Sequence, residues 1–361
     1  MNIRAASPIH SYISGRNVRP LKGFDAKEYE DLSRIGINVN KMVAAMDSVQ
    51  PLVTTASVAT PIQFLQNWLP GFVFVITAAR KIDEIVGLMT TGSWEDDQIV
   101  QGILERTGTS VPYGDYTSIP LSSWNTNFNF RTVVRFEEGM KVGSLESAQA
   151  ARMLVDDSGM KRESAALALE IIRNSVGFFG YNSGLNNTYG FLNDPGEGSY
   201  TTVPVGASSQ TYWSTKTFLE ICKDIRLAIV ALRTQSQDTI DPENIDLTLA
   251  VATDAVDWLS TTSDFGISVR DWLRNAYPKI RVVSAPELNN ASSSLNVFYL
   301  FADKIQDMST DGGQTFIQPV PAKFQVLGVQ QLAKAYEEDY SNATAGVMCK
   351  RPYAMVRYNG I

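Results

Sequence analysis

The stretch LESAQAARMLVDDSGMKRESAALALEIIRNSVGFF, Leu145 to Phe179, decides how this chain is read. Ala148, Ala151, Val155, Ser158 and Arg162, then Ala165, Leu169, Ile172, Val176 and Phe179, recur at alternating steps of three and four. That spacing puts a mostly apolar stripe along one helical face. It predicts one long helix over 145–179, which would span roughly 50 Å. Ser158, Gly159 and Arg162 weaken its middle and predict a bend or short break near Asp156–Gly159. The Gly-Tyr-Asn-Ser-Gly run that follows supplies the stop. Periodicity alone would fit an ordinary core helix equally well, so the preceding segment carries the decision.

That segment, Thr90 to Gly139, is a long excursion with little local core. Trp124, Thr126, Phe128, Phe130, Thr132, Val134 and Phe136 alternate with Asn125, Asn127, Asn129, Arg131, Val133, Arg135 and Glu137, the signature of one two-faced strand. Gln98–Arg106 offers a partner strand, and Gly108–Tyr116 a turn-rich tip. A two-stranded ribbon is marginal in water and needs something to pack on. This is either its own domain or another subunit.

Residues 1–60 read as an extended arm punctuated by Pro8, Gly15, Pro20, Gly23 and Pro51, with a short helix around Ala26–Gly36. The arm is expected to lie on its own domain or on neighbouring subunits, and to be kept rather than removed. From Pro61 to Leu88 the chain turns apolar, but Trp68–Ala79 is too short and too interrupted by Pro70 and Gly71 to span a membrane. The N-terminal residues show no signal-peptide block. After Phe179 come the turn Tyr189–Gly196, an amphipathic helix at Thr215–Thr234, a buried strand at Asp246–Thr253, short helices at Asp254–Ser260 and Ser268–Tyr277, and strands at Lys279–Ser284 and Asn296–Ala302. Thr315–Ile361 is largely strand-like, with strands around Phe316–Leu327 and Val347–Tyr358.

With 361 residues, 44% hydrophobic, the chain can bury a large core. Cys222 and Cys349 form neither a disulfide framework nor a metal-ligand spacing, which fits a reducing compartment. A net charge of −7 without a basic tail argues against sequence-specific nucleic-acid binding.

Arm, hairpin, very long helix, α/β module and closing strands, in that order, resemble the Hong Kong 97 fold of tailed-phage major capsid proteins. The motifs agree: Trp94-Glu95, Glu105-Arg106-Thr107-Gly108, Tyr113-Gly114-Asp115, Tyr189 to Pro195 after the helix, Tyr277-Pro278-Lys279-Ile280, Ala285-Pro286-Glu287-Leu288, and Ala343 to Val347 before Arg351-Pro352-Tyr353-Ala354. The resemblance implies an α+β chain with an N-terminal arm (1–60), a peripheral domain (61–89 and 140–215) carrying a spine helix (145–179), an extended loop (90–139), an α/β axial domain (216–315) and closing strands (316–361) shared between the two domains.

The implied function is an icosahedral shell, assembled from pentamers and hexamers in the host cytoplasm, around double-stranded DNA contacted weakly. Portal, scaffolding and decoration proteins are the implied partners, with no cofactor and no membrane. Some members cross-link an extended-loop lysine to an asparagine on a neighbour. No lysine lies between Lys81 and Lys141, so Asn359 is not assigned that role and the shell is expected to be noncovalent.

Two other readings stand beside this one: an encapsulin-type compartment shell and a soluble carboxylate-dependent hydrolase. The residues give the hydrolase little. The single histidine, His10, lies in the arm. Cys222 borders an apolar helix face and Cys349 a closing strand, so both read as buried packing. Asp96-Asp97, Asp156-Asp157 and Glu337-Glu338-Asp339 read as solvated faces. Asp254 and Asp257 lack the ligand count of a calcium loop. Gly312-Gly313 is a turn without the Lys-Ser/Thr of a phosphate cradle. No catalytic, cofactor-binding or metal residue is assigned.

Overall fold

The computed structural model describes residues 79–361 apart from Leu154, Asp307 and Met308. The arm, the helix around Ala26–Gly36, His10 and most of the Pro61–Leu88 run lie outside the described residues. The chain is α+β. Its elements are α1 (Ile82–Ile85), β1 (Gln98–Thr107), β2 (Ser123–Thr132), β3 (Val134–Gly143), α2 (Ser144–Arg152), α3 (Asp157–Phe179), β4 (Thr201–Thr202), α4 (Phe218–Gln235), β5 (Leu247–Ala252), α5 (Thr253–Val256), α6 (Val269–Ala276), β6 (Ile280–Ala285), β7 (Val297–Ala302), β8 (Phe316–Ile317), β9 (Ala322–Gln331), β10 (Ala335–Thr344), β11 (Met348–Cys349) and β12 (Met355–Asn359).

The 145–179 stretch forms two helices, not one. Asp156 takes a non-helical conformation and its side chain accepts the Gly159 N–H at 3.0 Å, which makes it the N-cap of α3. An aspartate that caps a new helix cannot continue the old one, so the break falls at Met153–Asp156, at the edge of the predicted window. The stripe ran through this break because Ala148 and Ala151 kept the spacing, yet α2 buries none of its residues. In α3 the buried set is Ala165, Leu169, Arg173, Asn174, Val176, Gly177 and Phe178, whereas Phe179 is half exposed.

The first half of α3 lies on a three-stranded antiparallel sheet of order β3-β10-β9. The apolar contact there is thin, namely Met140, Val142, Ala165, Leu169 and Tyr340. Polar joints supplement it. Arg162 donates twice to Glu338, at 2.9 and 2.6 Å, and the Asn342 amide donates to the Leu169 carbonyl at 2.8 Å. β10 falls within the strand-like tail, between the two strands marked there, and of its acidic triplet Asp339 is exposed and Glu337 partly so, whereas Glu338 is not on a solvated face. Glu338 is nearly buried between Arg162 and Tyr340, and the Arg162 hydrogen bonds hold its carboxyl below the usual range.

The second half of α3 is tied to its surroundings at both sides. Arg173 makes a two-pronged bond to Asp83 of α1 at 2.6 and 2.7 Å, and Asn174 bridges the Ile82 N–H and Glu287. The turn predicted at Tyr189–Gly196 returns onto the helix end: Phe191 N–H donates to Gly177 O, Leu192 N–H to Phe178 O and the Asn193 amide to Phe179 O. These bonds satisfy terminal carbonyls that a helix leaves open.

The main core surrounds a five-stranded sheet of order β4-β12-β7-β5-β6. β5 and β7 are buried along their whole length, as their continuous apolar runs predict. α4 covers the sheet with Ile221, Ile225, Ile229 and Leu232, the face read from its spacing. Beneath the N-terminal end of α4, Asp224 is buried against the Lys216 ammonium (2.6 Å) and the Trp213 indole N–H (3.1 Å).

Two outcomes follow from this packing. A Cβ at Gly190 would sit 2.4 Å from the Phe178 carbonyl, backbone that cannot yield. Gly190→Ala is therefore expected to cost about 2–3 kcal/mol in chemical denaturation. Glu338→Gln should lower the melting temperature at neutral pH. Because the folded carboxyl titrates below its unfolded value of 4.5, this contribution is present above that value and lost as the pH falls through the folded one. The melting difference should accordingly shrink in acid.

Candidate assembly surface

β1 and β2 form the predicted hairpin in unbroken antiparallel register, from Gln98 opposite Thr132 to Thr107 opposite Ser123. The strand alternation was read through Glu137, but the strand ends at Thr132. Val133 is buried and donates its N–H to Asp97 O, and the chain then re-pairs as β3 against β10. Directly opposed residues share a face, so the register sorts the ribbon into two surfaces. One carries Val100, Leu104, Phe130, Phe128 and Trp124. The other carries Gln101, Glu105, Asn129, Asn127 and Asn125, with Ile103 among them.

All five members of the apolar row are at least two-fifths exposed, and Trp124 and Phe128 about two-thirds. Gly102 lies opposite Phe128, where a Cβ would already contact the ring at 3.8 Å. Beyond the strands, Tyr113, Tyr116, Ile119 and Leu121 at the tip are almost fully exposed. An apolar patch of this extent is a surface for another protein surface.

The base of the ribbon is fixed. Arg131, 2% exposed, meets the fully buried Asp194 at 2.6 Å and lies over the Tyr189 ring. Asp194 also accepts the N–H groups of Gly196 (2.7 Å) and Cys349 (3.2 Å). Thr188 Oγ1 donates to Thr132 O at 2.7 Å. From the start of β3, Arg135 reaches the segment before β1 at Trp94 O (2.7 Å), Asp96 O and the Asp97 carboxylate, while the Trp94 indole donates to Ser341. Beside Asp194, Glu197 pairs with Arg357, and burial raises its carboxyl well above the usual range despite that partner.

The other singled-out residues are scattered. Asp96 and Asp97 are exposed, as a solvated pair would be, and lie at the ribbon base, where Arg135 reaches them. Asp156 caps α3, and Asp157 pairs with Lys161 at 3.1 Å. Cys222 and Cys349 are both buried, and burial raises both thiols, that of Cys222 to about 11. Asp254 and Asp257 are exposed. Asp311 turns the Gly312-Gly313 loop back onto Lys350 (2.9 Å) and Arg351 (2.7 Å). Asn359 donates to Ser292 at 3.1 Å. Among the described residues no group of three or more His, Cys, Asp or Glu side chains could hold a metal ion, and no helix is long and apolar enough to cross a membrane. Arg131 and Asp194 were not recognised as a pair in the sequence, where they stand 63 positions apart.

The sequence model of the Pa193 gp26 major capsid protein family matches residues 51–360. The chain belongs to that family. This capsid protein has the Hong Kong 97 fold and builds the icosahedral shell of a tailed phage. Its fold is similar to the capsid of Myoviridae phage XM1, at 14% identity and a TM-score of 0.68, over 85% of this chain and 100% of that one. It is also similar to the capsid of the native GTA particle (11%, TM-score 0.55, 85% and 99%) and to a Mycobacterium phage Ogopogo structure (11%, 0.52, 84% and 99%). A search of curated proteins found no match.

Removing one partner of a buried ion pair strands the other charge, at a cost of about 3–5 kcal/mol. Arg131→Met in this capsid protein is expected to lose stability in that range by urea denaturation of the subunit. Exposed Glu105→Gln on the same ribbon should change it negligibly.

Proposed function

We propose that the subunit closes a noncovalent shell of pentamers and hexamers around double-stranded DNA, with the β1–β2 ribbon lying over a neighbouring subunit. The observation that carries this reading is the ribbon's apolar row, which is exposed among the described residues while its root is anchored by the buried Arg131–Asp194 pair. In this reading residues 61–89 and 140–215 form the peripheral domain, 216–315 the axial domain around the symmetry axes, and 316–361 the closing strands. The arm at 1–60 lies on its own or neighbouring subunits. The role is structural rather than enzymatic, and assembly takes place in the host cytoplasm with portal, scaffolding and decoration proteins as partners.

The absence of lysine from Ile82 to Met140 removes the nucleophile for a ribbon cross-link. The net charge of −7 favours weak, salt-sensitive contact with the packaged DNA, since tight binding needs many phosphate-neutralising cations.

The test is electron microscopy and light scattering of purified particles, with gel electrophoresis after boiling in detergent. Megadalton icosahedral particles that fall apart to monomers are expected, and covalent ladders would refute the noncovalent shell. Trp124→Asp with Phe128→Asp should abolish closed particles while leaving the melting temperature of the free subunit within about 1 °C, because both side chains are exposed.

A further inference from the structure

The α/β module carries two surfaces of opposite charge that no other described residue pairs with. The first is the outer face of α4. Leu219, Lys223, Arg226, Leu227 and Val230 are all exposed and follow one another at helical spacing. The acids of this helix are committed elsewhere. Glu220 closes the capping box at Thr217, and Asp224 is buried on Lys216. The exposed stripe is therefore apolar and cationic. Arg226 is steadied over the Trp272 ring at 4.9 Å, and neither it nor Lys223 has an ion-pair partner among the described residues.

The second surface is the segment from α5 to the start of α6. Asp254, Asp257 and Asp264 are exposed and likewise without a cationic partner among the described residues. They alternate with exposed Trp258, Phe265 and Ile267. Phe265 is 92% exposed at the tip of a well-bonded turn: Ser263 N–H donates to Ile267 O, Gly266 N–H to Ser263 O, and Ile267 N–H to Ser263 Oγ. Gly266 has a φ of +77°, a conformation that favours glycine. This large aromatic ring lacks a packing partner among the described residues. α6 packs against both surfaces, touching α4 and the turn at Asp257–Ser260, and so fixes their relative position.

Several charged groups elsewhere in the chain find partners within it, as Arg162 does with Glu338 and Arg173 with Asp83. Unpaired acids with aromatic residues on one surface, and unpaired cations with aliphatic residues on the other, complement each other in charge and in apolar content. We infer that the Asp254–Ile267 segment of one subunit docks on the outer face of α4 in a second copy of this chain, giving a head-to-tail contact. A heterologous contact of this type closes into a ring when its rotation permits. The inference rests on the ring-forming axial domain proposed above and assigns its two contact surfaces and their polarity.

The experiment is charge reversal in the full-length protein. Lys223→Glu with Arg226→Glu on one side, Asp257→Lys with Asp264→Lys on the other, and all four together are compared with the wild type by sedimentation and light scattering. Each one-sided pair should lower the assembled fraction about tenfold or more, since like charges then face each other. The four-fold variant should recover most of it. One-sided variants that assemble as the wild type does would overturn the contact.

Proximity gives a readout independent of charge. Val230→Cys with Ile267→Cys, treated in assembled particles with a short bis-maleimide, should yield a ladder of linked subunits, because Cys222 and Cys349 are buried. Monomers alone would overturn the inference. Wild-type chains that form no particles at all would instead overturn the proposed function, which separates the two failures.

Discussion

The buried contact between Arg131 and Asp194 is the constraint on which the described structure turns. Two ions out of water are costly unless each is fully bonded, and the remaining valences of Asp194 are met by the N–H groups of Gly196 and Cys349. One carboxylate thereby joins three segments far apart in sequence: the root of the ribbon, the turn that caps α3, and the strand β11. A two-stranded ribbon has too little core to set its own direction. Its direction comes from this root, from Arg135 on Trp94 and Asp97, and from Thr188 on Thr132.

The two sheets solve the packing problem differently. The five-stranded sheet is buried among a large continuous set of apolar side chains, with β5 and β7 dry on both faces. The three-stranded sheet meets α3 through a handful of apolar groups. Such a thin contact does not specify register strongly. Directional bonds do so instead: Arg162 with Glu338, Asn342 with the Leu169 carbonyl, and the capping of the α3 end by the chain after Gly190. A Cβ at Gly190 would collide with that helix end, so the position combines a close approach with a polar joint.

The parts of the fold that sequence patterning exposes are those whose burial is one-sided and apolar. α4 follows its 3.6-residue spacing, β5 and β7 their continuous runs, and the ribbon its alternation of aromatic and asparagine residues. The long helix misled because Ala148 and Ala151 continued the spacing across a capping aspartate while facing solvent. β10 was not marked as a separate strand because its buried positions include Glu338, Ser341, Asn342 and Thr344, polar residues whose partners are Arg162 and the Leu169 carbonyl on α3, the Trp94 indole, and the Gly346 N–H. The same reason hid the ribbon's anchor. Arg131 sat on the face that alternation marks as polar, and nothing local indicates that a charge there is buried against Asp194. Polar burial is satisfied by tertiary partners, and a one-dimensional pattern does not contain them.

The uncovered surfaces are then intelligible as a division of labour within one chain. The large apolar core surrounds the five-stranded sheet, while the ribbon beyond its root and α2, which buries nothing, contribute little to burial. The buried Arg131–Asp194 pair fixes the root from which the exposed apolar row of Val100, Leu104, Phe128 and Trp124 extends. Gly102, across from Phe128, keeps that row slender enough to lie along another surface. In the assembly proposed here, direction is fixed inside the subunit by polar bonds and burial is supplied from outside by neighbours.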